Sequence, residues 1–166
     1  MEVEPRNDER GFFARSFCIE EFDANGLERR VAQCNISFNE KAGTLRGLHF
    51  QAEPHGEAKL VRCTQGAIYD VAVDIRPGSN TYLKWYAVEL NSKNRRMLFI
   101  PQGFAHGIQT LMDETEVFYQ MFESYHPESA RGLRWDDPKI GIVWPLANQI
   151  ISEKDRTYPL IDAGPS

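Results

Sequence analysis

The chain has 166 residues, enough to bury roughly 70% of its unfolded surface in one core. Hydrophobic residues make up 42% and charged residues 26%, the profile of a globular chain rather than a disordered one. The net charge of −5 and pI near 5.4 argue against a nucleic-acid or anionic-membrane partner, while leaving room for a local basic pocket that takes a phosphorylated small molecule.

The N-terminal arm, residues 1–14, is too polar to read as a signal peptide. Residues 19–24, ahead of Asn25-Gly26, are the best helical candidate. From there period two dominates. Short alternating runs fall at 30–37, 44–51, 59–64, 67–75, 82–90, 96–100, 105–111 and 116–122. In the run 67–75, Tyr69, Val71, Val73 and Ile75 form one face, and Ile68, Asp70, Ala72 and Asp74 the other. Turn signals separate the runs, among them Arg76-Pro-Gly-Ser-Asn80, Asn91-Ser-Lys-Asn94, Pro101-Gln-Gly103 and Met112-Asp-Glu114. The C-terminal segment 146–166 offers a second short helix after Ser152. No apolar run approaches the ~20 residues that a bilayer requires. Cys18, Cys34 and Cys63 are odd in number, widely spaced and without a CxxC pair, so neither disulfides nor a zinc site is expected. Many short strands with few helices predict one all-β domain over 1–166, a sandwich, jelly roll or barrel, of which a double-sheet β-barrel is preferred, in the cytoplasm.

Four strand positions carry reactive groups. His49 lies in Gly43-Thr-Leu-Arg-Gly-Leu-His49-Phe-Gln51, three residues after Arg46. Alternation puts His49 on the face of Leu45, Gly47 and Gln51. Arg46 then points the other way, or sits where the strand bends at Gly47. Lys59 shares a face with Val61 and Cys63, and a lysine among apolar residues needs a partner or an anionic ligand. Tyr119 shares a face with Val117 and Met121, and His106 follows the turn at Pro101. Each has a plainer reading: a satisfied structural histidine, a solvated lysine, a core aromatic, a turn cap. Spacing alone leaves an enzyme and a binding module both open. Pro101, Gly103 and His106 resemble the second metal motif of cupins, but His49-Phe-Gln51 has glutamine where the first motif needs its second histidine, and His55 and Glu57 fall at the wrong spacing. No metal is expected.

Taken together, several peptides resemble the dTDP-4-dehydrorhamnose 3,5-epimerase family. They are Asp8-Glu-Arg-Gly-Phe-Phe13, Gln33-Cys-Asn-Ile-Ser37, the His49 peptide, Lys59-Leu-Val-Arg62 and Tyr69-Asp-Val-Ala-Val-Asp-Ile-Arg76. Further along the chain come Ile100-Pro-Gln-Gly-Phe-Ala-His-Gly107, Trp135-Asp-Asp-Pro138, Ile142-Val-Trp-Pro145 and Ser152-Glu-Lys-Asp155. The resemblance implies a metal-independent, cofactor-free cupin-like jelly roll that forms homodimers by exchanging strands. It implies a substrate that is a nucleotide-diphosphate 4-keto-6-deoxy sugar, epimerised at C3, C5 or both. By motif, His49 is the base oriented by Asp155, Lys59 stabilises the enolate oxygen and Tyr119 is the acid. His106 and Tyr125 line the sugar site. Arg10, Gln33, Asn35 and Arg46 grip the nucleotide diphosphate, and Phe12 stacks near its base. Asp155 takes its role from the resemblance alone; by itself it reads as a tail charge. The chain departs from the pattern at Arg15, where the best-known rhamnose-pathway members carry glutamate, and at its N-terminus, which lacks the family's usual preceding strand. A non-catalytic nucleotide-sugar-binding cupin, a 3,4-ketoisomerase and, last, a metal-dependent cupin oxygenase or isomerase are the competing readings. Retention of His49, Lys59, Tyr119 and Asp155 weighs against the first, and the single histidine before Phe50 against the second.

Overall fold

The computed structural model describes residues 1–147 and 150–161, so residues 148–149 and 162–166 of the C-terminal segment lie outside the described residues. Among the described residues, twelve strands and two short helices follow one another. They are β1 (Arg6–Asp8), β2 (Gly11–Phe13), α1 (Ile19–Ala24), β3 (Gln33–Asn39), β4 (Thr44–Gln51), β5 (Lys59–Gln65) and β6 (Ala67–Asp74). The remainder are β7 (Trp85–Asn91), β8 (Met97–Ile100), β9 (Phe104–Thr110), β10 (Thr115–Met121), β11 (Ala130–Gly132), β12 (Ile150–Ile151) and α2 (Glu153–Arg156). β1 and β2 form a small two-stranded sheet; of the two larger sheets, one runs β3-β10-β5-β8 and the other β11-β4-β9-β6-β7, with β12 parallel to β4. The architecture is a double-sheet jelly roll, one of the all-β folds that the strand pattern allows and the one that the family resemblance implies.

Alternation builds three apolar layers. Between the sheets, Val61, Cys63 and Val117 from one side meet Ile68, Ala72, Leu90 and Ile108 from the other. On the outer face of the larger sheet, Val71 and Val73 pack beneath Ile140 and Trp144 of the C-terminal segment. On the outer face of the smaller sheet, Leu60 and Met97 pack beneath α1 through Phe22 and Phe122. α1 forms where the sequence places it: Glu20 and Glu21 favour its N-terminal end, and Gly26 ends it with φ of 66°.

Two strands start later than their periodicity suggests. The run from residue 30 joins β10 only from Ala32, whose N–H donates to the Met121 carbonyl; before it the Glu28 carboxylate accepts the backbone N–H groups of Arg29 and Arg30 and fixes a turn. The run from residue 82 begins at Trp85. The Asp74 carboxylate accepts from Arg76, Ser79 and Thr81 and holds that connection as a loop. β1, β2, β11 and β12 span two or three residues each, too few for a period to show.

One local irregularity governs the site. β4 pairs with β9 from Leu45↔Gln109 and Arg46↔Ile108, then slips before His49↔His106. This bulge breaks alternation at Gly47, whose φ is +126° and whose missing Cβ would come within 2.6 Å of the Gly107 Cα. The bend at Gly47 is the second of the two dispositions that the sequence allows for Arg46. Gly47→Ala is expected to reduce stability by about 1–3 kcal/mol in urea denaturation, through the backbone conformation and the clash together. An unchanged midpoint would contradict this reading of the bulge.

Candidate active site

Between the sheets, bordered by Ile108 and Val117 of the apolar core, lies a cavity of about 220 Å³. From the larger sheet it is lined by Arg46 and His49 of β4 and by His106 and Ile108 of β9. From the smaller sheet it is lined by Ser37 of β3, Lys59 of β5, and Val117 and Tyr119 of β10. His49, Lys59 and Tyr119 also line an adjoining second cavity, which Tyr125, Arg131, Lys154 and Tyr158 complete on its outer side. His49 and Tyr119 therefore stand on opposite walls of one space. Arg46 joins them because the bulge turns it to the same side.

His49 is held from the C-terminal segment. Its Nε2 lies 2.7 Å from Asp155 Oδ1, while Asp155 Oδ2 accepts the Gly47 N–H at 3.2 Å. β12 sets the height: Ile150 and Ile151 pair with Thr44 and Leu45, and Ser152 then caps α2 by accepting the Asp155 N–H. Asp155 is buried. Burial alone would raise its carboxyl. The His49 ring, the Gly47 N–H and Ser152 outweigh burial and hold it below the ordinary carboxylate value. The Tyr158 ring meets the His49 ring edge to face, with centroids 5.8 Å apart.

His106 repeats the arrangement on the neighbouring strand. Its Nε2 lies 2.9 Å from Oδ1 of fully buried Asp70, on β6. Lys59 Nζ lies 2.6 Å from Glu57 Oε1, both withdrawn from solvent. The Tyr119 phenol is pushed up by burial first and by the Glu57 charge second, against the opposing pull of Arg46. Arg46 Nε donates to Asn39 Oδ1 at 2.7 Å, which fixes the guanidinium at the cavity wall. Cys63 is not a nucleophile here. It lies in the core, where burial drives its thiol up to about 11.

The remaining predicted residues divide into two groups. Gln33 and Asn35 lie on the same face of β3 as Ser37 without lining either cavity; the Gln33 Oε1 accepts the Tyr125 N–H. Arg10 and Phe12 are not among the residues lining either cavity. Arg10 pairs with Asp8, and Phe12 lies under the Arg95 guanidinium at 4.4 Å. Asp70 and Glu57 are the residues that the sequence reading missed. Asp70 sits on the same face of its strand as Ile68 and Ala72, and Glu57 is two residues before Lys59.

His55, His126 and Glu128 place possible metal ligands within 4.8 Å of one another, outside both cavities. The two imidazoles stack with centroids 3.6 Å apart and planes 11° from parallel. In-plane lone pairs on parallel rings do not converge on a common ion, so this cluster is a ring stack rather than a coordination site.

Comparison with known proteins gives the same reading from another direction. Residues 1–163 match the family described as dTDP-4-dehydrorhamnose 3,5-epimerase. The chain belongs to this family. A family member from Methanothermobacter thermautotrophicus is 51% identical over 169 aligned positions, covering 99% of this chain and 90% of that protein. The Bacillus anthracis dTDP-4-dehydrorhamnose 3,5-epimerase, solved with TDP and PPi bound, superposes with a TM-score of 0.93 at 41% identity, covering 96% of this chain and 91% of that one. The Legionella pneumophila dTDP-6-deoxy-D-glucose-3,5-epimerase, solved with dTDP-4-keto-L-rhamnose, superposes with a TM-score of 0.90 at 41% identity, covering 98% and 88%.

The Asp155 arrangement has a pH consequence. A carboxyl held below its ordinary 3.8 favours the fold in its ionised form, so its contribution is whole above that value and is lost as pH falls through the lower folded value. Asp155→Asn is expected to lower the thermal midpoint near neutral pH, with the gap to wild type closing below about pH 4. A gap that stays constant down through that range would contradict the assignment.

Proposed function

We propose that this protein is a carbohydrate epimerase, a dTDP-4-dehydrorhamnose 3,5-epimerase that inverts C3, C5 or both of a nucleotide-diphosphate 4-keto-6-deoxy sugar, working as one cytoplasmic domain over the whole chain. The observation that carries the proposal is the position of His49 and Tyr119 on opposite walls of one cavity, with Lys59 on the strand beside Tyr119. Inversion at a carbon beside a ketone needs that geometry. The C4 carbonyl acidifies the hydrogens on C3 and C5, and a proton taken from one face must return to the other.

Neutral His49 accepts the proton, and the Asp155 carboxylate stabilises the imidazolium that results. Negative charge then develops on the C4 oxygen, where the Lys59 ammonium donates a hydrogen bond. Tyr119 gives its phenolic proton to the same carbon from the opposite wall, and solvent later restores the phenol and the neutral imidazole. His106, fixed by Asp70, and Tyr125 hold the sugar. Arg46, Gln33 and Asn35 bind the diphosphate, a task suited to a guanidinium anchored as Arg46 is.

The arm residues Arg10 and Phe12 lie off the chain's own cavities, and β3 leaves Ile36 and Phe38 exposed on its outer face. We infer a homodimer in which these surfaces meet. The arm of one copy then serves the nucleotide end of the other's cavity.

Reaction in D₂O separates the two proton transfers. His49→Ala is expected to lower deuterium incorporation at C3 and C5 of a dTDP-4-keto-6-deoxy sugar by about 10²–10⁴-fold, with dTDP binding kept within a few-fold. Tyr119→Phe should retain exchange at those positions while inversion falls by a similar factor. Wild-type-like exchange in His49→Ala, or equal loss of exchange and inversion in Tyr119→Phe, would overturn the assignment of roles.

A further inference from the structure

Glu57 takes no part in the chemistry above, yet it is the one carboxylate among the described residues that line either cavity. One oxygen, Oε1, lies 2.6 Å from Lys59 Nζ. The other, Oε2, is buried and has no hydrogen-bond partner among the described residues. Burying such a pair is costly, and its mutual attraction seldom repays that cost as fold stability. Nor does a negative charge suit the binding of an anionic ligand in a space otherwise walled by Arg46, Lys59, Arg131 and Lys154. The carboxylate needs a reason to be there.

We propose that Glu57 is a positioning residue: a buried counter-ion that fixes where the Lys59 ammonium meets negative charge developing on the substrate. This rests on the epimerase reading for its consequence but not for its geometry. A lysine head on a flexible four-carbon stem is poorly placed unless something anchors it. The ammonium has three donors; Glu57 occupies one and leaves two for the cavity. An ammonium held in place before the reaction stabilises a developing oxyanion without first having to reorganise. The same carboxylate acts on Tyr119, where its charge adds to burial in keeping the phenol protonated until it is used. The other titratable groups facing Tyr119 are Arg46, His49 and His106 across the cavity and Lys59 beside it, with Tyr125, Arg131, Lys154 and Tyr158 around the second cavity. None of them can replace a negative charge.

The test compares wild type with Glu57→Gln, which keeps shape but removes charge, and with Glu57→Asp, which keeps charge but shortens the reach. Folding of each is checked by circular dichroism and thermal melting. In ligand-free protein the Lys59 ammonium should give a ¹H–¹⁵N signal protected from exchange, absent in Glu57→Gln. The ¹³C-labelled Tyr119 ring, assigned with Tyr119→Phe, should ionise at lower pH in Glu57→Gln than in wild type. In turnover, Glu57→Gln should lose about 10- to 100-fold in kcat with KM changed less than about threefold, and Glu57→Asp should recover part of that loss. A folded Glu57→Gln that keeps the protected ammonium signal, the Tyr119 titration and kcat would overturn the proposal and leave Glu57 a packing residue. Absence of wild-type turnover on any 4-keto sugar would instead defeat the epimerase reading, while the two ligand-free measurements would still decide the role of Glu57.

Discussion

The 2.7 Å contact between His49 and Asp155 joins residues 106 apart in sequence, and the last third of the chain is arranged so that it can form. The segment around Ile140 and Trp144 crosses the outer face of the larger sheet and packs on Val71 and Val73. β12 then fixes the register beside β4, and Ser152 starts a helix of four residues that delivers one carboxylate. That carboxylate meets two groups at once, the imidazole and the backbone N–H at the Gly47 bulge. Orientation of the ring and stability of the bulge are thus one constraint.

The sandwich supplies the second requirement. A jelly roll places two sheets face to face, so side chains at matching height on β4 and β10 approach a bound molecule from opposite sides. Most of the space between the sheets is filled by apolar residues such as Val61, Ile68 and Val117. At one end the same inward positions carry His49, His106, Lys59 and Tyr119 instead. Three of these four have a buried acidic neighbour: Asp155, Asp70 and Glu57. A positively lined cavity inside a chain of net charge −5 is built by pairing each such group locally, and overall charge says little about it.

The fold was largely legible because its signals are local. Period-two runs around Val71 and Val61, separated by turns such as Pro101-Gln-Gly103, specify strands wherever they occur, and α1 announces itself by Asn25-Gly26. What escaped was set by distant or irregular structure. Alternation across Gly47 leaves Arg46 either opposite His49 or at a bend, and only the bulge, where Gly107 approaches closely, decides for the bend. Asp155 reads as a solvated tail charge until β12 docks. Asp70 was within reach: an acid on the inward face beside Ile68 and Ala72 must have a partner, and His106 was the available one. Arg10 and Phe12 remain legible only through the family resemblance, since their surroundings in one copy do not include the cavity.

The central claim is that a ketose lies between imidazole and phenol, one on each face. A crystal structure of Tyr119→Phe with a bound dTDP-4-keto-6-deoxy sugar tests it most directly. The C3–H or C5–H bond is expected to point at the His49 ring, with the C4 oxygen within hydrogen-bond reach of Lys59 Nζ and the opposite face of the sugar turned toward β10. A sugar bound with His49 and position 119 on the same face, or seated outside the cavity between the sheets, would contradict it.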